Sequence, residues 1–138
     1  MLYETDADRT NESEVFRTLA VKYNCGIETC PPLSTVDGYL LNKKGGRAAV
    51  VEIKTRYNTH NRYSTYMLSA TKHRNLIALA MEENIPALLV ANFTDGIYAT
   101  KIKAEYLTAV GGRYDRGDPN DMETCVYIPI EEFKFICK

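Results

Sequence analysis

From Ala48 to Ile53 the chain reads Ala-Val-Val-Glu-Ile after an alanine, almost wholly apolar and rich in β-branched residues. A run of this kind suits a strand covered on both faces, which demands layers on either side of a sheet. The charged pair Glu52 and Lys54 closes the run, so a carboxylate and an ammonium are carried at the end of a buried strand, where charge usually serves chemistry. Fifteen positions before Glu52 stands Asp37, in Val36-Asp37-Gly38, at the start of a second apolar run, Thr35 to Leu41. If the runs pair through Asn42-Lys43-Lys44-Gly45-Gly46, alternation sets Glu52 and Lys54 on one face, within reach of Asp37. Two carboxylates that close can hold a divalent cation through hard oxygen ligands, and the ammonium can stabilise developing negative charge.

At 138 residues the chain fits one domain, 1–138, with a core large enough to stand without staples. No apolar run approaches membrane-spanning length and Met1 to Asp6 has no signal-peptide pattern, so the expected address is cytoplasmic, with no membrane partner. Cys25, Cys30, Cys125 and Cys137 lack the paired spacing of a zinc site and are expected as free thiols. The net charge of −1 excludes indiscriminate coating of nucleic acid, but Lys43, Lys44, Arg47, Lys54, Arg56, Arg62, Lys72, His73 and Arg74 cluster mid-chain and predict a basic face around the candidate site.

Asn11 with Glu14 three residues on resembles a capped helix start, and Val15, Phe16, Leu19, Ala20 and Tyr23 continue at helical spacing until Cys25-Gly26. Glu12 shares the apolar stripe of this helix, and its carboxylate needs either the free N-terminal amides or a metal-site network. Gly26 to Thr29 suits a short strand before the Pro31-Pro32 break, and the hairpin of Thr35 to Leu41 with Arg47 to Lys54 follows. Thr55 to Tyr66 is aperiodic, basic and interleaved with aromatics. It reads either as a solvated loop or as a DNA-contacting segment in which Arg56, Tyr57, His60, Arg62 and Tyr63 meet phosphates and bases.

A helix is expected over Ser69 to Glu83, stopped by Asn84-Ile85-Pro86. Lys72, His73 and Arg74 in its opening turns oppose the helix dipole and point to an anionic partner. Ala87 to Phe93 and Ile97 to Ile102 form a strand pair around Asp95-Gly96. Ala104 to Val110 reads as a short helix or turn, Gly111 to Asp121 as a polar loop containing the turn-like Arg116-Gly117-Asp118, and Thr124 to Ile130 as the last strand.

Glu12 on a first helix, Asp37, Glu52-Ile53-Lys54, a helix bearing Lys72 and the strand entry Ile85-Pro86-Ala87 together resemble the core of the PD-(D/E)xK nuclease superfamily. Within it they are most similar to archaeal Holliday-junction resolvases and small phage or repair nucleases. The resemblance spans residues 8 to 103 and departs from the motif at Val36, which stands where proline is usual. It implies an α/β, restriction-endonuclease-like fold with a central mixed β-sheet flanked by helices. It also implies a deoxyribonuclease that uses Mg²⁺ or Mn²⁺ for in-line attack of water on a phosphodiester.

Asp37, Glu52 and the main-chain carbonyl of Ile53 would be metal ligands, and Lys54 would sit beside the water or phosphoryl oxygen. Glu12 would support the site, while Arg56, Tyr57, His60, Arg62, Tyr63, Lys72 and Arg74 would bind nucleic acid. The expected partner is DNA, whether duplex, branched or single-stranded, and junction cleavage would further require a symmetric homodimer. The alternatives are a catalytically silent module of the same shape that binds DNA or protein, and a single-strand or duplex nuclease of the same superfamily.

Overall fold

The computed structural model describes residues 6–31, 34–112 and 122–138. Helix α1 covers Asp6–Tyr23 and α2 Ala70–Glu83. The strands are β1 Gly26–Thr29, β2 Gly38–Leu41, β3 Arg47–Thr55, β4 Thr65–Ser69, β5 Ala87–Phe93, β6 Gly96–Lys101, β7 Leu107–Gly112, β8 Met122–Pro129 and β9 Lys134–Cys137. Six strands form one sheet in the order β1-β2-β3-β5-β6-β9, and β4-β8-β7 form a smaller one. In the large sheet β3 and β5 run parallel and every other neighbour is antiparallel, so it is mixed. This is the restriction-endonuclease-like layering that the resemblance implies.

Alternation along β3 divides the core. Ala49, Val51 and Ile53 face α1, where they meet Val15, Phe16, Leu19 and Val90. Val50 projects from the other face into a cluster with Leu76 of α2, Leu89 and Phe93 of β5, and Tyr66, Leu68, Val126 and Ile128 of the small sheet. The apolar run is thus covered on both sides, as a central strand requires. Glu52 and Lys54 share the parity of Val50 and point toward α2 and the small sheet.

Both helices stop in the same way. Asn24 takes φ 51° and Asn84 φ 55°, the left-handed conformation that asparagine tolerates. The next amides turn back to carbonyls one turn inside, Cys25 N to Ala20 O at 3.1 Å and Ile85 N to Ala80 O at 3.0 Å. At the start of α2 the Ser69 hydroxyl accepts from Lys72 N, so Ser69 is the cap and not the first helical residue.

Four local expectations need correction. α1 begins at Asp6, so Asn11 is a residue within the helix. Glu12 therefore lies beyond the first turn and has no free terminal amides at its position. The segment expected as a short helix or turn contributes β7, whose Thr108 and Ala109 lie opposite Val126 and Cys125 of β8, a case of pairing overriding a weak local preference. Thr65 and Tyr66, expected in the aperiodic loop, open β4, where Tyr66 and Leu68 are buried and Met67 is exposed. Lys134–Cys137 forms an edge strand on β6 after the strand expected to be last. Residues 113–121, with Arg116-Gly117-Asp118, lie outside the described residues.

Candidate active site

Asp37 immediately precedes β2, and its main chain is tied on both sides. Its amide donates to Val51 O at 3.2 Å, and its carbonyl accepts from Cys30 N at 2.9 Å. The side chain then turns across to β3, where Oδ2 accepts from the amide of Ile53 at 2.6 Å. Gly38 makes this path feasible, because a Cβ there would stand 2.4 Å from Glu28 O and 2.7 Å from the Phe16 ring. Gly38 lies opposite Val51, so one step outward Asp37 and Glu52 lie opposite each other on the α2 face.

Glu52 is almost wholly buried, its side chain 3% exposed. Oε2 stands 3.4 Å from Lys54 Nζ and Oε1 3.5 Å from Lys72 Nζ. Both are ion pairs, and Oε1 has no hydrogen-bond partner. Burial first, and the negative charge of Asp37 second, push the Glu52 carboxyl above the usual carboxylate range, while the two ammonium groups pull it back. Lys72 is steadied by donating to Thr35 O at 2.6 Å. The anion beside Lys72 in the structure is Glu52.

Hydrogen bonds along β3 fix the direction of Ile53. The amides of Val50 and Arg56 point to Pro86 O and Asn92 O on the β5 side, while Val51 O and Ile53 N point to Asp37. Strand alternation therefore sends the Ile53 carbonyl to the Asp37 edge as well. Among the described residues no group of three His, Cys, Asp or Glu side chains gathers to hold a metal ion. The donor set is instead two carboxylates and a main-chain carbonyl, all hard oxygens. A buried carboxylate oxygen with no hydrogen bond, beside a second carboxylate, fits a hard divalent cation.

The remaining candidates divide sharply. Arg56 follows Lys54 on the same face, with its guanidinium 4.9 Å from the Tyr66 ring and Nη1 bonded to Thr55 O. Tyr57 and Tyr63 are exposed, and Arg62 lies 5.4 Å from the Tyr63 ring, so this trio is presented to solvent. Arg74 is exposed on α2.

His60 is not presented in this way. Its Nδ1 is 2.5 Å from Asp95 Oδ2, its amide donates to Asp95 Oδ1, and its ring stacks on Tyr98 at 4.2 Å. It anchors the 56–64 loop to the β5–β6 turn, and its partner Asp95 was legible only as a turn residue. Glu12 is half-buried on α1, across the sheet from Glu52, one turn before Phe16, whose ring touches Gly38.

The basic face expected around the site is smaller than the sequence suggested. Lys43 and Lys44 lie in the β2–β3 turn and Arg47 at the opposite end of β3 from Glu52. His73 is buried, with Nε2 2.7 Å from Lys103 O. Tyr66, at the end of the segment expected to be aperiodic, is 5% exposed, and burial pushes its hydroxyl up to about 12.

No helix among the described residues is long and apolar enough to cross a membrane. Comparison with curated proteins and with solved structures found no match. Residues 1–136 match the family described as "Phage putative PDDEXK endonuclease". That match takes in Asp37, Glu52 and Lys54 and extends through the C-terminal strands that the resemblance left unplaced, and the chain belongs to this phage PD-(D/E)xK endonuclease family.

Proposed function

We propose that the protein is a metal-dependent DNA endonuclease that hydrolyses phosphodiester bonds at the Asp37, Glu52 and Lys54 cluster. The observation that carries the reading is the buried Glu52 carboxylate, with one oxygen lacking a hydrogen bond, opposite Asp37 and between two ammonium groups. Asp37, Glu52 and the Ile53 carbonyl would hold Mg²⁺ or Mn²⁺. Such an ion, when bound, supplies charge neutralisation at the phosphodiester and acidifies water.

The chain's own groups do the rest. Lys54, about one-third exposed, reaches from the buried carboxylate toward solvent and can donate to a non-bridging phosphoryl oxygen. Lys72 holds the opposite carboxylate oxygen in place through its anchor on Thr35 O. Glu12, on α1 across the sheet from Glu52, would bear on the site only indirectly, through Phe16 and its contact with Gly38. Arg56 and Arg74 supply charge for flanking phosphates, and the exposed Tyr57, Arg62 and Tyr63 suit stacking on distorted or unpaired bases. Branched DNA is accordingly the favoured substrate, and paired cutting of a four-way junction would need a homodimer.

The test incubates wild type and Asp37→Ala with four-way, flapped, single-stranded and linear duplex DNA in Mg²⁺, Mn²⁺ or EDTA. The expected result is metal-dependent cleavage that the variant loses, with branched substrates cut fastest. Tight binding without cleavage in any metal would instead identify a silent DNA-binding module. Sedimentation of the protein checks the dimer, and a strict monomer would remove paired junction cutting.

A further inference from the structure

Among the described residues the buried side-chain oxygens without a hydrogen-bond partner are Glu52 Oε1, the Tyr66 hydroxyl and Glu132 Oε1, and the first two belong to the α2 side of the sheet. An unpaired buried hydroxyl is destabilising, so phenylalanine would serve better at position 66 if packing were the only task. The Tyr66 ring is fully used without its oxygen. It packs 5.5 Å from Phe133, meets Phe93 edge-on at 6.4 Å and lies under the Arg56 guanidinium at 4.9 Å. Tyr66 packs in one cluster with Val50, on the face of the sheet to which Glu52 and Lys54 point, and Arg56, one residue past β3, covers its ring. The Tyr66 hydroxyl keeps its proton and is a donor, while Glu52 Oε1 is an acceptor. A water joining one donor and one acceptor needs only one or two further polar partners, which the Lys54 ammonium or substrate can supply.

We infer that Tyr66 is a positioning residue of the nuclease: its hydroxyl donates to a water shared with Glu52 and so fixes both the carboxylate and that water beside the phosphodiester. The inference rests on the nuclease reading above. It extends the site to the small sheet, because β4 carries Tyr66.

Tyr66→Phe removes one oxygen and keeps the ring. The expected result is a fall in kcat of about tenfold or more with KM for DNA within about twofold, Mn²⁺ binding weakened about tenfold by calorimetry, and a melting temperature equal to or above the wild type. Unchanged kcat and unchanged Mn²⁺ affinity would overturn the inference, since the hydroxyl would then be a packing remnant. A clearly lower melting temperature would overturn it too, by assigning the oxygen a structural bond. Wild type and Asp37→Ala are run alongside. If the wild type cuts no DNA, the nuclease reading fails and the Mn²⁺ titration alone decides Tyr66, weakened binding supporting the water bridge and equal binding refuting it. A wild type that neither cuts nor binds Mn²⁺ removes both.

Discussion

At the amino end of β3, Arg47 spreads its guanidinium between Glu28 at 2.8 Å and Glu83 at 3.0 Å and lies 3.8 Å from the Tyr39 ring centroid. At the carboxyl end Glu52 is buried and stands 3.4 and 3.5 Å from the nearest ammonium groups, with one oxygen lacking a hydrogen bond. The first cluster is complete. Its hydrogen bonds hold the Glu28 carboxyl below and the Arg47 guanidinium above their usual ranges, each charge favouring the other. The second works the other way, since burial and Asp37 together disfavour the charged form of Glu52. Exposed ion pairs of the first kind contribute little to stability, whereas a buried, incompletely paired carboxylate is costly to keep. The contrast teaches that charge number does not distinguish a structural cluster from a reactive one. The distinguishing feature is whether the partners already present satisfy it.

That contrast can be broken most forcefully at Glu52. Glu52→Gln should lower cleavage on the order of a thousand-fold or more while leaving the melting temperature equal or higher, because it removes a buried charge. Paired rate measurements and thermal melts check this, and a large loss of stability would show that the carboxylate is structural.

Gly38→Ala comes next. Its methyl would enter the 2.4 Å space beside Glu28 O and displace Asp37, costing about 1–3 kcal/mol in denaturant unfolding along with much of the activity.

A third effect is visible in pH. The native state holds the Glu52 proton more tightly than the unfolded chain does. The metal-free protein should therefore lose stability as pH rises from about 4.3, the unfolded value, through the native titration. Melts across this range in EDTA should show that component of the slope vanishing in Glu52→Gln.

The smallest effect sharpens the comparison from the other end. Arg47→Ala should lower the melting temperature slightly, by an amount that shrinks at high salt, and leave cleavage unchanged.

The trio at the site was legible because strand alternation is a strict rule. Once Ala48 to Ile53 is read as a central strand, Glu52 and Lys54 must share a face, and the Asn42 to Gly46 turn brings Asp37 beside them. The role of Lys72 was half legible, since a cation at a helix start signals an anion without saying that the anion is Glu52. The small sheet was not legible. β4 begins within an aperiodic stretch, and its partner β8 comes far later in the chain, so no local pattern joins them. Tyr66 was consequently read as the end of an aperiodic segment, although pairing with Ile128 places it in a strand and turns it inward. The contact of His60 with Asp95 was not legible for a similar reason, because a histidine in a basic loop gives no sign that an aspartate on another turn will hold it.

The pairing of Thr65 with Pro129 has a consequence for the order of events during synthesis. Asp37, Glu52 and Lys54 leave the ribosome well before β8 and β9, yet the strand that backs them from the small sheet finds its neighbour only when those late segments emerge. A nascent chain therefore holds all three side chains while still lacking the small sheet that packs on their side of β3. On the nuclease reading proposed above, cutting ability would follow only once these last strands have paired.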